Sequence, residues 1–182
     1  VFMSDFTGAN WTTLGGTASG NGKGQFNTPQ GIAVGPDEKI YVADWYNHRL
    51  VRMDDMTGAG WTTLGGTTSG SGVNQFNNPR RIAFGADGKI CLTDQNNNRL
   101  VRMDNITGAG WTTYASSATW GFAFGPDGKM YFSTISSVRC MDNFTGAGLA
   151  TFGSAGSGVN QFNGPDELAF GPDGKLYIAD SN

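Results

Sequence analysis

Gly31-Ile-Ala-Val-Gly-Pro-Asp-Glu-Lys-Ile-Tyr-Val-Ala-Asp44 recurs as Arg81-Ile-Ala-Phe-Gly-Ala-Asp-Gly-Lys-Ile-Cys-Leu-Thr-Asp94. It returns as Gly121-Phe-Ala-Phe-Gly-Pro-Asp-Gly-Lys-Met-Tyr-Phe-Ser-Thr134, and a fourth copy runs from Glu167 to Asp180. Each copy sets two β-rich apolar runs around a Pro-Asp-Gly-like turn, where glycine accepts the positive φ of a tight hairpin. The glycine opening each turn is Gly35, Gly85, Gly125 and Gly171, at spacings of 50, 40 and 46 residues. A second block, Leu50-Val-Arg-Met-Asp54 followed by Thr57-Gly-Ala-Gly-Trp-Thr-Thr-Leu64, recurs from Leu100 and more loosely from Val138.

Four short strands in each unit of this length predict an all-β fold, a β-propeller whose blades each hold four antiparallel strands. The strands are A (Ile32 to Val34), B (Lys39 to Ala43), C (Leu50 to Met53) and D (Trp61 to Leu64), with their equivalents. A lone blade cannot cover both faces of its sheet, so the fold must be held by blade stacked on blade. The chain of 182 residues suffices for one domain, 1–182, standing alone or as a fragment or repeat unit of a longer protein. Val1 already sits inside a repeat, so the natural start of the gene product is expected upstream. Val1 to Asp5 and Trp11 to Leu14 match strands C and D, whereas the chain ends just after a strand B. The simplest closure is therefore a four-bladed ring whose last blade is shared between N-terminal and C-terminal strands. The alternative is an arc of a larger ring, completed as a ring or fibre by copies of itself.

Phe26-Asn-Thr-Pro-Gln-Gly-Ile-Ala-Val34 and Tyr41-Val-Ala-Asp-Trp-Tyr-Asn-His-Arg-Leu50 resemble the NHL repeat, with Asn47, His48 and Leu50 as this chain's version of its signature. The second repeat has Asn98 in place of His48. The third lacks both Asn-His-Arg and the Gln-Phe-Asn-x-Pro lead-in present at Gln25, Gln75 and Gln161. The resemblance implies a propeller that acts by binding protein or glycan, or by self-assembly as a homo-oligomer or fibre. By the same analogy an extracellular or secreted location is favoured over others.

Chemistry is sparse by residue type. The single histidine, His48, and the two cysteines cannot supply the three or four converging ligands of a zinc site, so no metal and no cofactor is expected. The amidating lyases that share the fold need several metal-binding histidines, which are missing. Gluconolactonase-like propellers use acidic ligands at the channel mouth. Here Asp166 and Glu167 stand beside Gln30, Arg80, Arg81 and Trp120 at equivalent positions, a mixture that suits a cation poorly. No nucleophile–base pairing is visible, so a non-enzyme is expected, with a degenerate metal-dependent hydrolase or lyase as the alternative. An RNA-binding NHL domain is disfavoured by a net charge of −3 and a pI near 4.9, and nucleic acid is not an expected partner. No apolar run is long enough to span a bilayer.

The candidate contact residues are Trp45, Tyr46, His48, Arg80, Arg81, Trp120, Asp166 and Glu167. Trp45, Tyr46 and Trp120 do not recur between repeats, whereas Trp61 and Trp111 do and read as packing. His48 is expected to hydrogen-bond within its B–C loop. Arg81 and Glu167, each just before a strand A, are expected to meet across the channel, at a distance too wide in a ring of six or more blades. Asn10, Asn105 and Asn143 head Asn-x-Thr sequons and are glycosylation candidates, although this composition yields about two or three such triplets by chance. Cys91 stands where the sister repeats have Tyr41, Tyr131 and Tyr177. Two free thiols are expected over a Cys91–Cys140 bridge.

Overall fold

The computed structural model describes all residues except 1–2, 4–6, 8, 17, 117–118 and 182. It is an all-β propeller. The first blade is β1 (Pro29–Val34), β2 (Ile40–Asp44), β3 (Arg49–Met53) and β4 (Thr62–Gly65), hydrogen-bonded in that order. The second repeats it with β5 (Pro79–Phe84), β6 (Ile90–Asp94), β7 (Arg99–Met103) and β8 (Thr112–Ala115). The third is β9 (Phe122–Phe124), β10 (Met130–Ser133), β11 (Val138–Met141) and β12 (Ala150–Phe152). A short parallel pair, β13 (Ser154–Ala155) and β14 (Gln161–Phe162), leads to a hairpin of β15 (Pro165–Phe170) and β16 (Leu176–Asp180). Among the described residues helix is confined to two single 3-10 turns, at Trp45–Asn47 and Gln95–Asn97.

The A–B hairpins are built by their aspartates. Asp37 Oδ1 accepts the Lys39 N–H at 3.2 Å and Oδ2 accepts the Tyr41 hydroxyl at 3.0 Å. Asp127 and Asp173 do the same with Lys129 and Tyr131, and with Lys175 and Tyr177. In the second blade Cys91 cannot reach Asp87, and Arg102 from β7 bonds that carboxylate instead. The turns thus satisfy their own carboxylates, as hairpins do.

Strand A begins three residues earlier than its apolar run, at Pro29, Pro79 and Pro165, and each start carries a bulge. At the second of these bulges Thr93 accepts the Arg81 N–H at 2.9 Å, and just ahead of β9 Ser133 accepts the Gly121 N–H at 2.9 Å. Gly31 and Gly121 are required here for a different reason, because a Cβ on either would run into the backbone carbonyl of Arg80 or Asp166 in the following blade. Blades one and two, and blades three and four, therefore approach backbone to backbone.

Blade stacking buries the core. Leu50, Leu64, Phe76, Ile82, Leu92 and Val101 join blades one and two, and Leu100, Phe122, Phe132 and Met141 join blades two and three. An aromatic lock recurs at two junctions: Tyr41 meets Phe84 edge-on at 5.0 Å, and Tyr131 meets Phe170 at 5.0 Å.

Among the described residues the last sheet has two strands, and β16 pairs with β15 alone. The expected closing strand at Val1 to Asp5 lies outside the described residues except for Met3. Among the described residues Ile32 is 63% and Val34 68% exposed on β1, and Tyr177 is 57% exposed on β16. Cys91 is buried and Cys140 half-buried, and both are free thiols.

Candidate functional site

The signature residues turn inward on the protein itself. Asp44, fully buried, accepts hydrogen bonds from the Asn27 N–H, Asn47 Nδ2 and Arg49 Nε at 2.7–2.8 Å. Arg49 also donates through Nη1 and Nη2 to the carbonyls of Asn21 and Gln25, and its guanidinium lies 5.7 Å from the Trp61 ring centroid. Asp94, Asn97, Arg99 and Trp111 repeat the whole arrangement on the loop before β5. The glycine-rich loops that precede these strands are thus clamped by buried, charge-assisted bonds. His48 takes the left-handed position that ends the 3-10 turn, at φ 52°, and Asn98 takes the same one at φ 50°. His48 donates its backbone N–H to the Trp45 carbonyl within its own loop at 3.2 Å. Its Nδ1 accepts the Asn78 N–H at 3.1 Å, so it ties blade one to blade two. It is a structural residue.

The channel mouth is where side chains of several blades converge. Gln30, Arg80, Trp120 and Asp166 occupy one repeat position at the start of strand A, and Trp45 and Gln95 occupy one position after strand B. Gln30, Trp45, Arg80, Gln95 and Trp120 line a cleft of about 230 Å³. Arg80 is held by a two-point ion pair with Asp166, Nη1 to Oδ1 at 2.7 Å and Nη2 to Oδ2 at 2.8 Å. The same guanidinium sits 5.7 Å from the Trp120 ring centroid, a cation–π arrangement. Trp45 Nε1–H donates to Gln95 Oε1 at 3.3 Å.

Arg81 and Glu167 form an ion pair, as the repeat alignment predicts, and Arg81 also reaches the Gln30 carbonyl at 3.4 Å. The contact joins blade two to blade four. Tyr46 packs on Trp45 at 4.4 Å but is 52% exposed and stays outside the cleft. Gln95 was not legible as a site residue from its type. Its only signal is that it replaces Trp45 in the repeat register.

The donor set does not fit a divalent cation. Both Asp166 carboxylate oxygens are bonded to Arg80 and Glu167 is paired with Arg81, and no three His, Cys, Asp or Glu converge among the described residues. The sequon residues Asn105 and Asn143 accept from the N–H and hydroxyl of their own Thr107 and Thr145, as Asp55 does from Thr57 in the first blade. Asn10 has a positive φ of 56°. No helix among the described residues is long and apolar enough to cross a membrane.

The fold is that of a β-propeller, and residues 26–53 match the NHL repeat family model. No curated protein sequence matches the chain. Among solved structures it is similar to a catalytically inactive virginiamycin B lyase from Staphylococcus aureus, at 16% identity and a TM-score of 0.63, over 84% of this chain and 48% of that one. It is also similar to a gluconolactonase from Xanthomonas campestris, at 19% identity and TM-score 0.63, over 84% and 56%. Hydrazine synthase from Kuenenia stuttgartiensis matches at 15% identity and TM-score 0.62, over 92% and 45%. The chain spans about half the length of these proteins. The expectation of a non-enzyme is corrected by these neighbours, in which the same architecture carries lyase and lactonase activities. It rested on counting metal ligands and nucleophiles, which says nothing of catalysis by positioned hydrogen-bond donors. At these identities the likeness establishes the fold.

Proposed function

We propose that the channel mouth is the substrate-holding site of a hydrolase- or lyase-type propeller and takes a small polar ring of the sugar-lactone class. The observation that carries this reading is the cleft itself, which gathers two tryptophans, two carboxamides and a fixed guanidinium, none of them repeated at its own position in another blade. Indole faces stack on the C–H face of a sugar ring, while amides and guanidinium bond its oxygens. The neighbours that are gluconolactonases support the lactone over other rings.

Arg80 is the residue assigned the chemical role. Asp166 fixes its plane, so a remaining N–H can point at the lactone carbonyl and stabilise the oxyanion that develops as water adds. The reaction then breaks the ring C–O bond, and the water proton passes to the leaving alkoxide. A simple glycan has the same ring and hydroxyls but no carbonyl to polarise, so binding without turnover marks that source.

The test is lactone opening above the spontaneous rate, alongside binding of the lactone and of a matched glycan. Turnover that falls about a hundredfold in Arg80→Lys is expected, because lysine loses the two-point geometry. Binding of neither compound by the intact chain would overturn the reading.

A further inference from the structure

The aromatic lock skips the junction of blades two and three. Tyr41 meets Phe84 edge-on across the junction before it, and Tyr131 meets Phe170 across the junction after it. In both hairpins the tyrosine ring lies against the turn glycine. A Cβ placed on Gly35 would stand 2.9 Å from the Tyr41 ring, and one on Gly125 2.7 Å from the Tyr131 ring. The residue facing Gly85 in this register is Cys91, which has no ring to put there. A Cβ on Gly85 would instead meet Asp87 at 2.7 Å and the Phe124 ring of the next blade only at 3.6 Å.

The place of the absent ring is a cavity. Among the described residues Gly85, Asp87, Arg102, Phe124, Met130 and Phe144 border about 260 Å³ at this junction. Cys91 is buried in the core cluster with Met130, against which Phe124 and Phe144 pack. An apolar cavity of about 150 Å³ already admits benzene, so a substituted ring has room here. The polar group that a tyrosine would use is also in place. Asp37 and Asp127 each give Oδ2 to the hydroxyl of their own tyrosine, at 3.0 and 2.9 Å. Asp87 Oδ1 accepts the Lys89 N–H as its counterparts do, and Oδ2 accepts from Arg102. Blade one shows that a guanidinium and a phenolic hydroxyl share such an oxygen: Asp37 Oδ2 accepts Arg52 Nε at 3.4 Å as well as the Tyr41 hydroxyl.

We propose that this cavity binds a small phenol, whose ring stands in for the missing tyrosine, edge-on to Phe124, and whose hydroxyl donates to Asp87 Oδ2. The site lies among the A–B turns and C–D loops, at the other end of the strands from the channel mouth. It does not rest on the ligand proposed there.

The probe is p-cresol, the tyrosine side chain as a free molecule, titrated into the 182-residue chain and followed at the Met130 methyl resonance. A saturable shift is expected, with toluene at least about tenfold weaker for want of the hydrogen bond to a carboxylate. Cys91→Tyr supplies the ring from within the chain, as the sister blades do, and should abolish the shift. Binding of N-acetyltyrosinamide as well would support the site and extend it to a tyrosyl side chain, whereas p-cresol without it would support a site for free phenols. No Met130 shift with p-cresol, equal affinity for toluene, or an undiminished shift in a folded Cys91→Tyr chain would overturn the proposal. The first two readings use the unaltered chain and stand whether or not that variant folds.

Discussion

Blades one and three are made from the same repeat, yet only the first keeps the signature. In blade one Asn47 and Arg49, both held by Asp44, grip a long glycine-rich loop by its carbonyls. In blade three Thr134 and Ser137 merely bond each other at 2.7 Å, and the connection from β8 to β9 is short. The repeat spacing falls from 50 to 40 residues at that same place. Signature and loop are lost together because one exists to hold the other. The NHL-like residues of this chain are a loop clamp, and the proposed ligand site is built from positions where the blades differ.

The comparison breaks most visibly at the clamp. Arg49→Ala would leave the buried Asp44 carboxylate without its cation, and a loss of about 3–5 kcal/mol in denaturant unfolding is expected. Thr134→Ala, at the corresponding place in blade three, removes a hydroxyl whose contacts with the Ser137 carbonyl, hydroxyl and N–H are all neutral, and should cost about 1–2 kcal/mol. Equal losses would show that the clamp is no more than another hydrogen bond.

Acid should act on all four hairpins at once. Asp37, Asp87 and Asp127 are pushed up by burial but held below the usual 3.8 by the N–H groups of Lys39, Lys89 and Lys129 and by their side-chain partners. For Asp173 the Lys175 N–H is the leading cause of the same lowering. A lowered carboxyl contributes stability above its unfolded value and loses it as pH falls through the folded one. Thermal midpoints should therefore drop below about pH 4. Asp94 opposes this: burial raises its carboxyl, so its contribution is present at low pH and lost as pH rises through the raised value. A midpoint that holds steady into strong acid would remove the hairpin carboxylates from the account.

The thiols separate blade two from blade three. Burial pushes the Cys91 thiol up to about 12, whereas Cys140 lies half-buried in an open groove beside β16. A thiol reagent should label Cys140 in the native chain and reach Cys91 only on unfolding. Comparable labelling rates would contradict the packing of the second blade.

The smallest expected effect is a gain. Glu38 has φ 61° where the sister turns place Gly88, Gly128 and Gly174 at 73–78°. Glu38→Gly should stabilise the chain by about 1 kcal/mol, because a Cβ is strained in that region. A loss would mean that the Glu38 side chain carries a contact worth more than the strain.

Much of this was legible because the repeat is. The turn glycines, the alternating apolar runs and the recurring Trp61 and Trp111 mark strands and packing at every copy. The pairing of Arg81 with Glu167 followed from register alone. Two features were hidden. The direction in which His48 points depends on the left-handed turn that carries it, which a residue type does not encode. Ring closure depends on contacts between chain segments far apart in sequence, and repeats with equal strands fit an arc as well as a ring.

The central claim is that Trp45 and Trp120 face a ligand while Trp61 and Trp111 serve the fold. Nuclear magnetic resonance of the indole N–H groups, with a sugar lactone titrated into the chain, tests it directly. The account predicts shifts at Trp45 and Trp120 that saturate together, with Trp61 and Trp111 unmoved beneath their arginines. Shifts confined to Trp61 and Trp111, or none at any indole, would contradict it.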